Sequence, residues 1–208
     1  MSKHLISIAD IEGDIEALFE KAHELKEGAK KGIFERSLEN KTLAMIFEKA
    51  STRTRVSFEV AMAQLGGHAI HLDETQIQLY RGESLKDTAL TLSRYVDGIM
   101  IRARGHGGVI ELARYSSVPV INGLTDLEHP CQALGDLYTI KEKIGFEGVK
   151  LAYLGDGNNV CNSLTLGSSM VGLDITVGCP KGYEPDSGII GAADKKAASK
   201  GSVVEITN

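Results

Sequence analysis

The chain has only three cysteines in 208 residues, and Cys131, Cys161 and Cys179 stand far apart with no C-x-x-C pair among them. That spacing argues against a disulfide framework and against a structural zinc site, and makes reduced thiols the default. Uninterrupted apolar runs are also scarce. They reach about five residues, as at Leu43 to Phe47, far below the ~18 that a membrane-spanning helix requires. Asp10 and Glu12 interrupt the N-terminus before an apolar signal core can form, so no secretory leader is expected and a cytoplasmic location is. Positive charge is not in excess either. The 23 Lys and Arg against 28 Asp and Glu leave a net charge of −5, whose average field repels nucleic acid and acidic membranes. An anionic ligand would need a local basic pocket.

What remains is a globular composition. Hydrophobic residues make up 42% and charged residues 25%, near the averages of soluble domains, and the length suits one large or two small domains. Ile11, Ile15, Leu18, Ala22 and Leu25 recur three or four apart, which predicts an amphipathic helix with Asp10 as its N-cap. Short apolar runs follow at 42–47, 68–72, 97–101 and 118–121, each trailed by a loop and a helical stretch. The same beat returns at 149–154, 173–178 and 202–206, with helices expected near 158–171 and 187–200. This alternation predicts an α/β fold, a parallel sheet with flanking helices. Ile144-Gly145-Phe146-Glu147-Gly148 after a helix at 130–143 suggests a boundary, hence domains at 1–145 and 146–208. The second has three strands where a doubly wound sheet has two βαβαβ halves. It reads as an incomplete Rossmann-like domain, and the chain as a piece of a longer protein.

Four segments can carry chemistry. Glu48-Lys49-Ala50-Ser51-Thr52-Arg53-Thr54-Arg55 lies on a strand-to-helix turn, where orphan N–H groups and hydroxyls favour an anion. Arginines two apart cannot share a helix face. Arg53 is the expected ligand and Arg55 the partner in a structural ion pair; the bland alternative is a Ser/Thr N-cap followed by solvated arginines. No G-x-x-x-x-G-K-[ST] run is present, so a nucleoside triphosphate is not implied. Arg102 is expected at the carboxyl end of a strand, where open α/β sheets bind ligands, although a surface arginine is an equal reading.

In Asp126-Leu127-Glu128-His129-Pro130-Cys131-Gln132, Pro130 suits a first helical position. His129 and Gln132 then lie three apart, able to bond a small polar group, while His129 alone could simply cap the helix and Cys131 reads as a core residue. Gly155-Asp156-Gly157-Asn158-Asn159 lacks the third glycine of a dinucleotide fingerprint. His68 and His71 fall on opposite faces of a predicted strand, so no metal site is assigned.

Taken together and in this order, Phe47 to Arg55, His129-Pro130-Cys131-Gln132 and Gly155-Asp156-Gly157-Asn158-Asn159 resemble the aspartate/ornithine carbamoyltransferase superfamily. Lys49 ahead of the S-T-R-T-R run, Cys131 and the G-D-G-N-N turn look like its ornithine branch. The resemblance covers essentially the whole chain. It implies a carbamoyl phosphate domain followed by part of an ornithine domain, and carbamoyl transfer to L-ornithine without metal or organic cofactor. It further implies that Ser51, Thr52, Arg53 and Thr54 hold phosphate, and that Arg102, His129 and Gln132 address the carbamoyl group, with Arg102 and His129 catalytic. Asn159 matches an ornithine ligand. Gln78, in Gln78-Leu79-Tyr80-Arg81-Gly82-Glu83, matches a loop that reaches a neighbouring subunit's site in a homotrimer. The family's D-x-x-x-S-M-G and H-C-L-P motifs do not occur here. Competing readings are a transferase for another amine such as aspartate or putrescine, a non-catalytic carbamoyl phosphate-binding module, and, more distantly, a Rossmann oxidoreductase.

Overall fold

The computed structural model describes residues 4–73, 75 and 77–208. These form two compact units, residues 4–6 with the described part of Gly13–Gly123, and Ser7–Glu12 with Leu124–Asn208.

The first unit is built on a four-stranded sheet in the order β2-β1-β3-β4. Helix α1 (Ile15–Lys30) precedes β1 (Thr42–Phe47), α2 (Thr52–Gln64), β2 (His68–Asp73), α3 (Leu85–Leu92), β3 (Gly98–Arg102), α4 (His106–Tyr115) and β4 (Val120–Leu124). Leu43 to Phe47 are all buried, as a continuous apolar strand should be when both sheet faces are covered. On one side Ala44 and Ile46 join Ile99, Ile101, Val109, Leu112 and Val120; on the other Leu43, Met45 and Phe47 pack with Met62 and Met100. Parallel register aligns Phe47 with Asp73 and with Arg102. The carboxyl ends of β1 and β3 therefore finish level, and the turn after β1 lies beside Arg102.

Two local expectations need correction. Asp10 does not cap α1: its carboxylate accepts the Ser7 N–H at 2.9 Å within a 3-10 segment, Ile8–Asp14, that is kinked at Ile11. The short-range bond closes a turn of its own, and the α-helix starts only at Ile15. The strand foreseen at 118–121 begins at Val120, because Pro119 has no N–H to offer a ladder.

The second unit contains α5 (Pro130–Ile144), β5 (Lys150–Leu154), α6 (Asn159–Met170), β6 (Asp174–Gly178), α7 (Ser187–Lys200) and β7 (Val204–Thr207). Its three strands are parallel in the order β5-β6-β7. Cys161 to Met170 of α6 are buried on every side, so the helix shows no amphipathic stripe, and small residues admit its neighbours. A Cβ at Gly167 would stand 2.6 Å from Ile8 Cδ1 and 2.8 Å from Leu137 Cδ1. Helix α5 packs on α6 and clusters with this unit by contacts.

Candidate functional site

In the first unit, the α2 turn is held open by the chain around it. The Glu48 N–H donates to the Arg102 carbonyl at 3.0 Å. The Glu48 carboxylate accepts the Arg104 N–H at 2.7 Å, and the Arg104 guanidinium donates to the Glu48 carbonyl at 3.0 Å. These bonds staple the ends of β1 and β3. Ser51 is the N-cap, extended in backbone, and its Oγ accepts the Thr54 N–H at 3.3 Å; the Arg55 N–H closes on the Ser51 carbonyl. The Thr52 and Arg53 N–H groups are left at the positive end of the helix with no bond to the protein among the described residues, the arrangement that binds anions.

The side chains extend that field. Arg102 donates from Nη1 to Thr54 Oγ1 at 3.2 Å, and its buried Nε has no acceptor among the described residues. Burial first, and the neighbouring Arg53 charge second, push the Arg102 pKa down. Two guanidiniums near enough to repel, with no carboxylate bonded to either among the described residues, are stabilised by an anion that accepts from both. Arg55 turns away to Glu59 at 2.9 Å, the division of labour expected for arginines two apart. The N-cap expected of Ser51 is thus present, and it leaves the two open N–H groups available to an anion.

In the second unit, His129 occupies the N-cap position of α5 and Pro130 its first turn, but no side chain caps the helix. The imidazole is therefore not the cap that the bland reading supposed. The His129 N–H instead donates to Ser163 Oγ at 2.9 Å. Gln132 is exposed and donates along the helix to Asp136 at 2.9 Å. Burial pushes the Cys131 thiol up to about 11, consistent with a packing role. Asn159 Nδ2 donates to the Thr125 carbonyl at 2.5 Å, while Asn158 supplies the N-cap of α6. Gln78 begins a 3-10 turn, Gln78–Arg81, and is exposed; no bond joins its side chain to the α2 turn among the described residues.

The structure thus gathers Ser51, Thr52, Arg53, Thr54 and Arg102 at one sheet edge, and places His129 and Gln132 together on the first turn of α5. Four contributors escaped the sequence reading: Glu48 and Arg104, which staple the edge, and Glu128 and Ser163, which hold the α5 start. Glu48 and Glu128 sit inside the singled-out segments, yet nothing in their spacing identifies their partners.

Known proteins resemble the chain over its whole length. Residues 3–142 match the carbamoyl-P binding domain of aspartate/ornithine carbamoyltransferase, and residues 147–208 match its Asp/Orn binding domain. The chain belongs to the aspartate/ornithine carbamoyltransferase family. It is similar to the ornithine carbamoyltransferase of Methanobrevibacter smithii, 53% identical over 206 residues, covering 99% of this chain and 67% of that protein. The ornithine carbamoyltransferase of Methanothermobacter thermautotrophicus is 56% identical over 205 residues, covering 98% of this chain and 66% of that protein. The solved ornithine carbamoyltransferase of Pyrococcus furiosus superimposes with a TM-score of 0.97 at 51% identity, covering 100% of this chain and 67% of that one. This family member therefore spans about two thirds of the length of these relatives. No helix among the described residues is long and apolar enough to cross a membrane.

Proposed function

We propose that this chain belongs to an ornithine carbamoyltransferase, which transfers the carbamoyl group of carbamoyl phosphate to the δ-amine of L-ornithine, giving L-citrulline and phosphate. The carrying observation is the paired Arg53 and Arg102 at the open start of α2, which supply positive charge and unpaired N–H groups at one place. Ornithine is favoured over aspartate or putrescine by the H-P-C-Q and G-D-G-N-N motifs and by its relatives, ornithine carbamoyltransferases more than half identical to it.

Ser51, Thr52, Arg53 and Thr54 receive the phosphate. Arg102, His129 and Gln132 are assigned by the family motif to the carbamoyl group, and Asn159 to ornithine. The uncharged amine attacks the carbamoyl carbon, and negative charge grows on the carbamoyl oxygen and then on the departing phosphate. Donors fixed in advance at those atoms lower the barrier, each typically by ~10²–10³ in rate. The chemistry needs neither metal nor organic cofactor. Arginine metabolism and a cytoplasmic location are part of the same proposal.

A homotrimer completes the reading, with Gln78 reaching a neighbour's site. Exposed Val56 and Val60, one turn apart on α2, and Ile70 on edge strand β2 offer apolar surface for such a contact. Because the S-M-G and H-C-L-P motifs are absent, the 208-residue chain should bind carbamoyl phosphate without forming appreciable citrulline. Calorimetry and a citrulline assay on this chain, and on a version extended to its relatives' length, test this. Binding by both and turnover by the longer one are expected. Equal citrulline formation by the short chain would show that ornithine is held by residues other than those named.

A further inference from the structure

The α5 start is supported by a buried polar chain that none of the family motifs includes. The Glu128 carboxylate lies in the interior with an exposure of 2%, and Ser163 is fully enclosed at 0%. Ser163 Oγ accepts the His129 N–H at 2.9 Å and donates its own hydrogen to Glu128 Oε2 at 3.1 Å. The same Oε2 accepts the Ile8 N–H at 3.1 Å. Around it, Thr125 Oγ1 accepts the Glu128 N–H at 3.1 Å and the Thr125 N–H donates to the Glu128 carbonyl at 2.9 Å. A buried carboxylate is expensive unless its acceptor capacity is used, and here the bonds that satisfy it run straight to the backbone of His129. A hydroxyl that donates to a carboxylate is also a better acceptor, since bonds in a chain polarise one another. His129 needs such a hold, because its backbone is non-helical (φ −134°, ψ 71°) and no side chain caps the helix at that point.

We infer that Glu128 and Ser163 are positioning residues for His129, fixing the backbone from which its imidazole meets the carbamoyl group. This rests on the carbamoyl phosphate reading above. The consequence is a split in affinity: the chain should prefer carbamoyl phosphate to inorganic phosphate, and loss of the Ser163 hydroxyl should erode that preference while leaving phosphate, held at α2, unaffected.

The experiment is calorimetric titration of the 208-residue chain with carbamoyl phosphate and, separately, with inorganic phosphate. Amide hydrogen exchange at His129 and circular dichroism accompany it. Ser163→Ala should weaken carbamoyl phosphate about tenfold, leave phosphate within twofold, and expose the His129 amide to exchange. Glu128→Gln retains an acceptor and should keep most of the preference, whereas Glu128→Leu should lose it. If Ser163→Ala does not fold, the contrast between the two Glu128 variants decides the matter. An undiminished preference in Ser163→Ala or in Glu128→Leu overturns the inference. Equal weakening of both ligands also overturns it, since that marks general damage. If the wild type shows no preference and His129→Ala changes nothing, the carbamoyl phosphate reading itself has failed and the inference falls with it. Loss of preference in His129→Ala but in neither Ser163→Ala nor Glu128→Leu retains the reading and removes only the positioning role.

Discussion

The first turns of α2 and α5 both follow the carboxyl end of a strand, yet the backbone at these two helix starts is treated in opposite ways. At α2, among the described residues, the Thr52 and Arg53 N–H groups stay open, Arg102 keeps a buried Nε without an acceptor, and like charges are gathered instead of dispersed. At α5 the preceding turn is closed by side chains from α6: Asn159 bonds the Thr125 carbonyl, Asn162 the Leu127 carbonyl at 2.9 Å, and Ser163 the His129 N–H. An open turn is built to take a charged ligand, at some cost to the folded chain. A closed one is built to hold a side chain in a set direction. The two designs should respond differently to the same perturbation.

The largest effect is expected from closing what little space the second unit leaves. A Cβ at Gly157 would stand 2.1 Å from the Pro185 nitrogen and 2.3 Å from the Glu184 carbonyl carbon. These are backbone atoms that cannot rotate aside. Gly157→Ala should destabilise the protein by about 3 kcal/mol, read as a fall in the unfolding midpoint; an unchanged midpoint would mean that the 183–185 segment is free to shift.

Thiol chemistry sharpens the contrast next. With a pKa pushed up from 9.0 to about 11, Cys131 in the first turn of α5 should react with alkylating agents at pH 8 about a hundredfold more slowly than an unperturbed thiol. Linkage sets the sign for stability. The folded thiol holds its proton where the unfolded one has lost it, so this contribution is complete below pH 9 and disappears as the pH rises toward 11. Unfolding at graded alkaline pH should show that decline, and the decline should be smaller in Cys131→Ser.

At the open turn, Arg102→Met should weaken inorganic phosphate roughly ten- to hundredfold, the range for a charge-assisted bond, and Arg53→Ala should follow it. Affinity unchanged in both variants would move the anion site elsewhere. The smallest effect belongs to Arg55, whose exposed pairing with Glu59 contributes only ~0.3–0.5 kcal/mol. Arg55→Ala should leave phosphate affinity within twofold, so that two arginines two residues apart separate cleanly into ligand and surface ion pair.

The same contrast explains how much could be read from sequence. The open turn was legible because all it needs, apart from Arg102, lies within five residues of Ser51, and Arg102 itself is placed by the level ends of parallel strands. The element order was legible because apolar runs alternate with helical stretches. The closed turn was not, because its supports stand 34 or 35 residues away on α6. A helix buried on all sides carries no periodic signal telling which polar residue faces which neighbour. Asp10 misled for a related reason: a short-range bond to Ser7 competed with the cap that the pattern suggested.

The central claim, that the start of α2 is an anion site, is tested most directly by following backbone amide and arginine Nε signals by NMR while inorganic phosphate is added. The account predicts saturable shifts at the Thr52 and Arg53 amides and at Arg102 Nε, with the amides at the start of α6, already bonded to Asn158, left in place. Shifts at α6 with none at Thr52, Arg53 or Arg102 would contradict it.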